Sequence, residues 1–322
     1  MSASRRLAGA LFATAALALG PSSGWAQVAL EGRVVAGSDS TPAGPHSVEL
    51  HRVGPEGGTV LDSVRAGADG RFRFSIDTAG AGSSLFLAAV RRDGVVYFGP
   101  PLHAGMAADG PYRVVVYDTA VATGPVGGAR IALRHIVVSP AGDGTLEVAE
   151  IFDVVGTGDR TWVPGPDSVA VFRAPLPAGV RSWERLEGGL PERAVRVADG
   201  GLEIRAALSP AGFRAGIAYL ADGPDLVIPV EHPTDRLDVI LVGAEARRVE
   251  GLVPGDAPAM AAGGAARRFV GSDLLPGSRV RVEVMVPTSS RSRAVLWLGI
   301  GLALLAAAAL SSVLARRERG PH

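Results

Sequence analysis

The sequence predicts an all-β fold: two consecutive β-sandwich domains followed by one C-terminal transmembrane α-helix. Three observations carry this prediction. Short apolar runs alternate with polar residues at period two, the signature of half-buried strands. The 43 Gly and 23 Pro supply many turns. Residues 294–315 form a single apolar run without charge, matched to a hydrocarbon core of about 30 Å. At 322 residues the chain exceeds one typical domain of about 100 to 200 residues.

In chain order, residues 1–26 read as a signal peptide. Arg5 and Arg6 give a basic start, residues 7–19 an apolar stretch too short to span, and Gly24-Trp25-Ala26 the small residues around a cleavage site after Ala26. The first domain covers residues 27–120, with strands expected at 28–35, 48–53, 71–76, 85–90, 95–98 and 112–117. Residues 121–129, centred on Gly124-Pro125-Val126-Gly127-Gly128, form a linker too rich in Gly and Pro for a strand interior. The second domain covers residues 130–287, with strand-like runs from 131–138 to 279–286. Its part 244–287 is either a small third unit or the last strands of that domain, and the latter is favoured because so short a piece rarely forms a core alone. Residues 288–293 are a stalk, 294–315 the transmembrane helix and 316–322 a cytoplasmic tail, where Arg316, Arg317 and Arg319 satisfy the positive-inside tendency. Gly299 and Gly301 give the helix small residues against which another helix could pack.

The run Asp69-Gly70-Arg71-Phe72-Arg73-Phe74, with Gly32 and Val34 in the first strand and Val48 and Leu50 in the second, resembles the carboxypeptidase regulatory-like domain. That family is a small transthyretin-like β-sandwich. The resemblance spans roughly residues 28–118 and implies a non-catalytic spacer or binding module. The residues agree with it physically: Asp-Gly makes a tight turn, and Phe72 and Phe74 project to one side of the next strand. The Gly/Ser connection at residues 78–84 departs from the family pattern.

Charge balances at 32 basic and 32 acidic side chains, which gives no field to collect nucleic acid. The absence of Cys excludes disulfides, thiolate metal sites and Cys nucleophiles. Neither a Gly-x-Ser-x-Gly elbow nor a phosphate-binding Gly-Lys-Ser/Thr loop occurs. The histidines His46, His51, His103, His135, His232 and His322 show no one-turn spacing of the helical zinc type. Asp77-Thr78-Ala79 and Asp118-Thr119-Ala120 lack the Gly that an aspartic-protease turn carries, and they read as strand ends. No catalytic residue, metal site or cofactor is therefore expected.

Contact candidates are aromatic: Tyr97 and Phe98, held at a strand end by Gly99-Pro100-Pro101, with Trp162 and Trp183 in loop-like contexts. One ring of the adjacent Tyr97 and Phe98 pair is expected in the core. The leading functional expectation is an exported, single-pass, membrane-anchored accessory or scaffolding subunit, its bulk periplasmic or extracellular. Its partners would be the lipid bilayer and a protein in a membrane complex. The alternative is a periplasmic module binding a small molecule, metal or polysaccharide. Aromatic residues at only 5% weigh against a stacked sugar platform.

Overall fold

The structure is a computed structural model that describes residues 27–285 apart from 56, 79–81, 104–110, 125–128, 143, 166–168, 187–189 and 257–265. The chain divides into two compact units. The first holds residues 27–34, 44–90 and 98–114; the second holds 35–43, 91–97 and the chain from 115 onward.

Eight strands build the N-terminal part: β1 (Gln27–Ala36), β2 (Ser47–Gly54), β3 (Gly57–Arg65), β4 (Arg71–Asp77), β5 (Leu85–Arg92), β6 (Val95–Phe98), β7 (Leu102–His103) and β8 (Tyr112–Val116). They form a three-stranded sheet in the order β4-β1-β8 and a second sheet in the order β3-β2-β5-β6, with β7 beside β5. The pattern in β4 is strict: Phe72, Phe74 and Ile76 are buried, and the residues between them are exposed. The antiparallel register sets Gly32 of β1 opposite Phe72. A Cβ on Gly32 would lie 2.4 Å from the Phe72 ring, so only glycine admits that ring. Gly70, at φ +75°, makes the turn into β4. Tyr112 stands edge-on to Phe72, and its hydroxyl accepts the Ala88 N–H at 2.9 Å.

The second unit is built on β9 (Asp118–Val121), β10 (Ala129–Gly142), β11 (Thr145–Gly156), β12 (Arg160–Val163), β13 (Phe172–Pro175), β14 (Val180–Arg185), β15 (Val195–Ala198), β16 (Gly201–Ile204), β17 (Phe213–Asp222), β18 (Asp225–Pro229), β19 (Thr234–Val242), β20 (Glu245–Glu250), β21 (Val253–Gly255), β22 (Ala266–Leu274) and β23 (Arg279–Met285). Its frame is a seven-stranded sheet, β14-β17-β11-β10-β19-β22-β21. All its pairings are antiparallel except β10 with β19. Two three-stranded sheets, β13-β16-β15 and β18-β23-β20, share one apolar core with this frame. The inner face contributes Ile136, Val138, Leu146, Val148, Phe152, Ile217, Val239 and Leu241; the smaller sheets contribute Phe172, Leu202, Ile204, Ile228 and Val282. Strand β9 pairs in parallel with β12.

The architecture is all-β and multi-sheet, which corrects the expected pair of sandwiches closed by a transmembrane α-helix. Among the described residues the chain has strands, turns and one 3-10 turn, Glu192–Ala194, but no α-helix. No helix among them is long and apolar enough to cross a membrane. The physical reason is the period of their hydrophobic pattern, which buries every second residue against facing sheets. Residues 1–26 and 294–315, with Gly299 and Gly301, lie outside the described residues. The single-pass topology, the bilayer and a membrane complex as partners, and the membrane-anchored scaffolding role have no described helix to rest on and are set aside.

Candidate functional site

The seven-stranded sheet carries polar side chains on both faces, and strand alternation assigns each to its side. Arg134 of β10, Glu150 of β11 and Tyr219 of β17 point inward among the core residues. Arg134 donates from Nε and Nη2 to Glu150 Oε2 at 3.0 and 2.8 Å, and from Nη1 to the Pro229 carbonyl at 2.9 Å. Tyr219 donates its hydroxyl to the other Glu150 oxygen. The guanidinium also lies 4.9 Å over the Phe152 ring. Burial, and then the Glu150 charge, push the Tyr219 hydroxyl well above the usual tyrosine range, so it stays protonated. Every partner is satisfied and enclosed, which makes this a structural network.

The outer face differs. At one end Asp238 of β19 accepts Arg236 Nε at 3.1 Å and Arg268 Nη2 at 2.7 Å. His135 Nδ1 lies 3.3 Å from Asp238 but makes no hydrogen bond among the described residues. Burial holds the His135 imidazole below the usual histidine range, against the opposing pull of Asp238 and Asp153. Arg214 clamps Asp153 with two bonds of 2.6 and 2.8 Å. The middle of the face is apolar: Val137, Ala149, Ala218 and Ile240.

The other end opens into a groove of about 320 Å³ bordered by Ala141, Glu147, Ser182, Trp183, Glu184, Ala218, Tyr219 and Leu220. Register explains its composition. Ser139, Glu147, Leu220 and Ser182 form one row across β10, β11, β17 and β14; Val137, Ala149, Ala218 and Glu184 form the next. Small side chains at Ala141 and Ala218 leave the space, and Glu147 and Glu184 flank it. Trp183 is the register partner of Tyr219, and both border the groove. No basic side chain is among the described residues bordering the groove. Nearby, Arg181 pairs with Asp222, and Arg185 reaches the Leu190 carbonyl.

The aromatic residues singled out from the sequence lie in separate places. Tyr97 is buried and donates its hydroxyl to Thr161 Oγ1 at 2.8 Å. Its neighbour Phe98 is 57% exposed and meets the His51 ring edge-on. Trp162 packs against the second unit's core and bridges to Leu208. Trp183 is 41% exposed on the edge strand β14. Of the histidines, His232 stacks on Phe172 with its Nε2 2.7 Å from the Arg173 carbonyl, and His51 lies 3.1 Å from Glu49. Among the described residues no group of three or more His, Asp or Glu could hold a metal ion.

The groove residues Glu147 and Glu184 were not singled out by the sequence, whereas Trp183, which also borders the groove, was. A signal was present: Glu147 and Glu150 stand at odd separation in one apolar strand, which forces one carboxylate onto each face.

No family model matches the chain, and no curated protein matches it. Among solved structures, an M1 zinc metallopeptidase from Deinococcus radiodurans is 12% identical, with 48% of this chain and 42% of that chain covered and a TM-score of 0.29. A two-domain M1 zinc metallopeptidase mutant bound to L-tryptophan is 10% identical, with 49% and 43% covered and the same TM-score, 0.29. The chain thus spans less than half the length of these metallopeptidases. A likeness at this TM-score carries no conclusion about fold or chemistry for this chain.

Proposed function

We propose that this chain is a non-catalytic ligand-capture module whose second unit holds a small molecule in the outer-face groove beside β14. The observation that supports this reading is the groove itself: a concavity on a rigid sheet, with polar groups converging on a floor of small side chains. The first unit, through its likeness to carboxypeptidase regulatory-like domains in Asp69 to Phe74, serves in this reading as a spacer or auxiliary binding module. The test is a screen of cationic, neutral and anionic small molecules by amide chemical-shift changes on the full chain. A binder that shifts β11, β14 and β17 together supports the reading. Binders that shift only other strands, or no binder at all, contradict it.

A further inference from the structure

We infer that the first unit binds a compact oxyanion of the phosphate class on the outer face of its β4-β1-β8 sheet, at a site independent of the groove. Three arginines stand abreast there. The register sets Arg71 of β4 opposite Arg33 of β1. On the other side of β1, the Gly37 N–H donates to the Val116 carbonyl at 2.8 Å. From that bond β8 can pair along β1 only by running parallel to it, and counting back along both strands sets Arg113 beside Arg33. Alternation turns all three side chains away from the core, because their sequence neighbours Phe72, Val34, Tyr112 and Val114 are buried.

The local charge balance is a second observation. Arg73 pairs with Glu31 at 3.1 Å, and Arg71 with Asp69 at 3.3 Å. The guanidiniums of Arg33 and Arg113 have no hydrogen bond or ion pair among the described residues, although Arg33 is half-buried. Adjacent strands stand about 4.8 Å apart, and like charges directly opposite one another at that spacing repel. Negative charge placed between Arg33 and Arg113 removes that repulsion. Each guanidinium offers a planar fork of N–H donors, and a phosphate dianion has oxygens enough to accept from both forks.

The other ligand classes fit less well. A monocarboxylate satisfies one fork and leaves the second charge unanswered. A long polyanion would meet Glu31 in the next row and Asp69 beside Arg71. A metal cation would be repelled by both free guanidiniums.

The experiment is titration of inorganic phosphate, glycerol 3-phosphate and acetate into the full chain, followed by amide chemical shifts. The expected result is that both phosphates shift β1, β4 and β8, weaken with added salt and bind about tenfold or more tighter than acetate. Tighter binding of glycerol 3-phosphate assigns the row to a phosphate ester, and equal binding assigns it to the free ion; either supports the inference. Affinity for the ester should rise with pH through about 6, where its second proton leaves while the guanidiniums stay charged. Arg33→Gln and Arg113→Gln should each weaken binding about tenfold, and Arg33→Lys, which keeps the charge but loses the fork, by a smaller factor. Arg113 is exposed, so Arg113→Gln keeps the test sound even if Arg33→Gln disturbs folding. Phosphate binding unchanged by Arg113→Gln, acetate bound as tightly as phosphate, or no shift in β1, β4 and β8 overturns the inference. Shifts in β11, β14 and β17 report on the groove alone, so either reading can fail without the other.

Discussion

Arg134 and His135 are neighbours on β10, yet they serve opposite faces of one sheet, and their surroundings could hardly differ more. Inward, Arg134 meets Glu150, Tyr219, the Pro229 carbonyl and the Phe152 ring, and its charge is answered on every side. Outward, His135 Nδ1 and Ser139 Oγ are buried without a hydrogen bond among the described residues. A polar group in a core is costly unless it is satisfied, and the inner network meets that demand with partners on every side. The inner face therefore bears on stability, while the outer face carries the groove of the proposed function.

The largest effect should come from breaking the inner network. Glu150→Ala strands the Arg134 guanidinium in the core and should lower stability by about 3–5 kcal/mol in urea unfolding. Replacing all three members with apolar residues of similar volume (Arg134→Met, Glu150→Leu and Tyr219→Phe together) should restore most of that loss. If the triple variant is as unstable as Glu150→Ala, packing rather than the stranded charge sets the cost. A smaller effect is expected at Tyr97, where Phe removes the hydroxyl that bonds Thr161 and the Tyr117 carbonyl and should cost about 1 kcal/mol by the same measurement.

On the outer face Ser139→Ala should change stability by less than about 1 kcal/mol, because it removes a hydroxyl that has no partner to lose. The subtlest effect is a pH dependence at His135. Its folded imidazole titrates below the unfolded value, so the unfolded chain binds more protons between the two values. Its contribution to stability is present above about pH 6.5, the unfolded value, and is lost as pH falls through the lowered folded value. Urea midpoints measured on either side of that value should show the loss, and His135→Gln should reduce it. An unchanged profile would place the acid sensitivity elsewhere.

Much of the strand content was legible because alternation is a local signal. The strict alternation of exposed and buried side chains along β4 follows directly from Arg71-Phe72-Arg73-Phe74-Ser75-Ile76-Asp77. The expectation that one ring of the Tyr97 and Phe98 pair lies in the core agrees with a buried Tyr97 and an exposed Phe98. Strand order was not legible. The parallel pairing of β10 with β19 joins residues about a hundred positions apart, and nothing local encodes such a partner. The groove was hidden for the same reason: Ser139, Glu147, Leu220 and Ser182 form a row only after four strands take their places. Of the four aromatic candidates from the sequence, Trp183 borders the groove, beside the small and acidic residues Ala141, Ala218, Glu147 and Glu184.

The division of labour between the faces can be tested with two matched substitutions, Glu150→Gln inside and Glu184→Gln outside, each assayed for urea stability and for affinity toward a small molecule identified by the chemical-shift screen. The account predicts that Glu150→Gln lowers stability and leaves the affinity of the folded protein unchanged, while Glu184→Gln lowers affinity and leaves stability within about 0.5 kcal/mol. Equal loss of affinity in both variants, or none in Glu184→Gln, would contradict it.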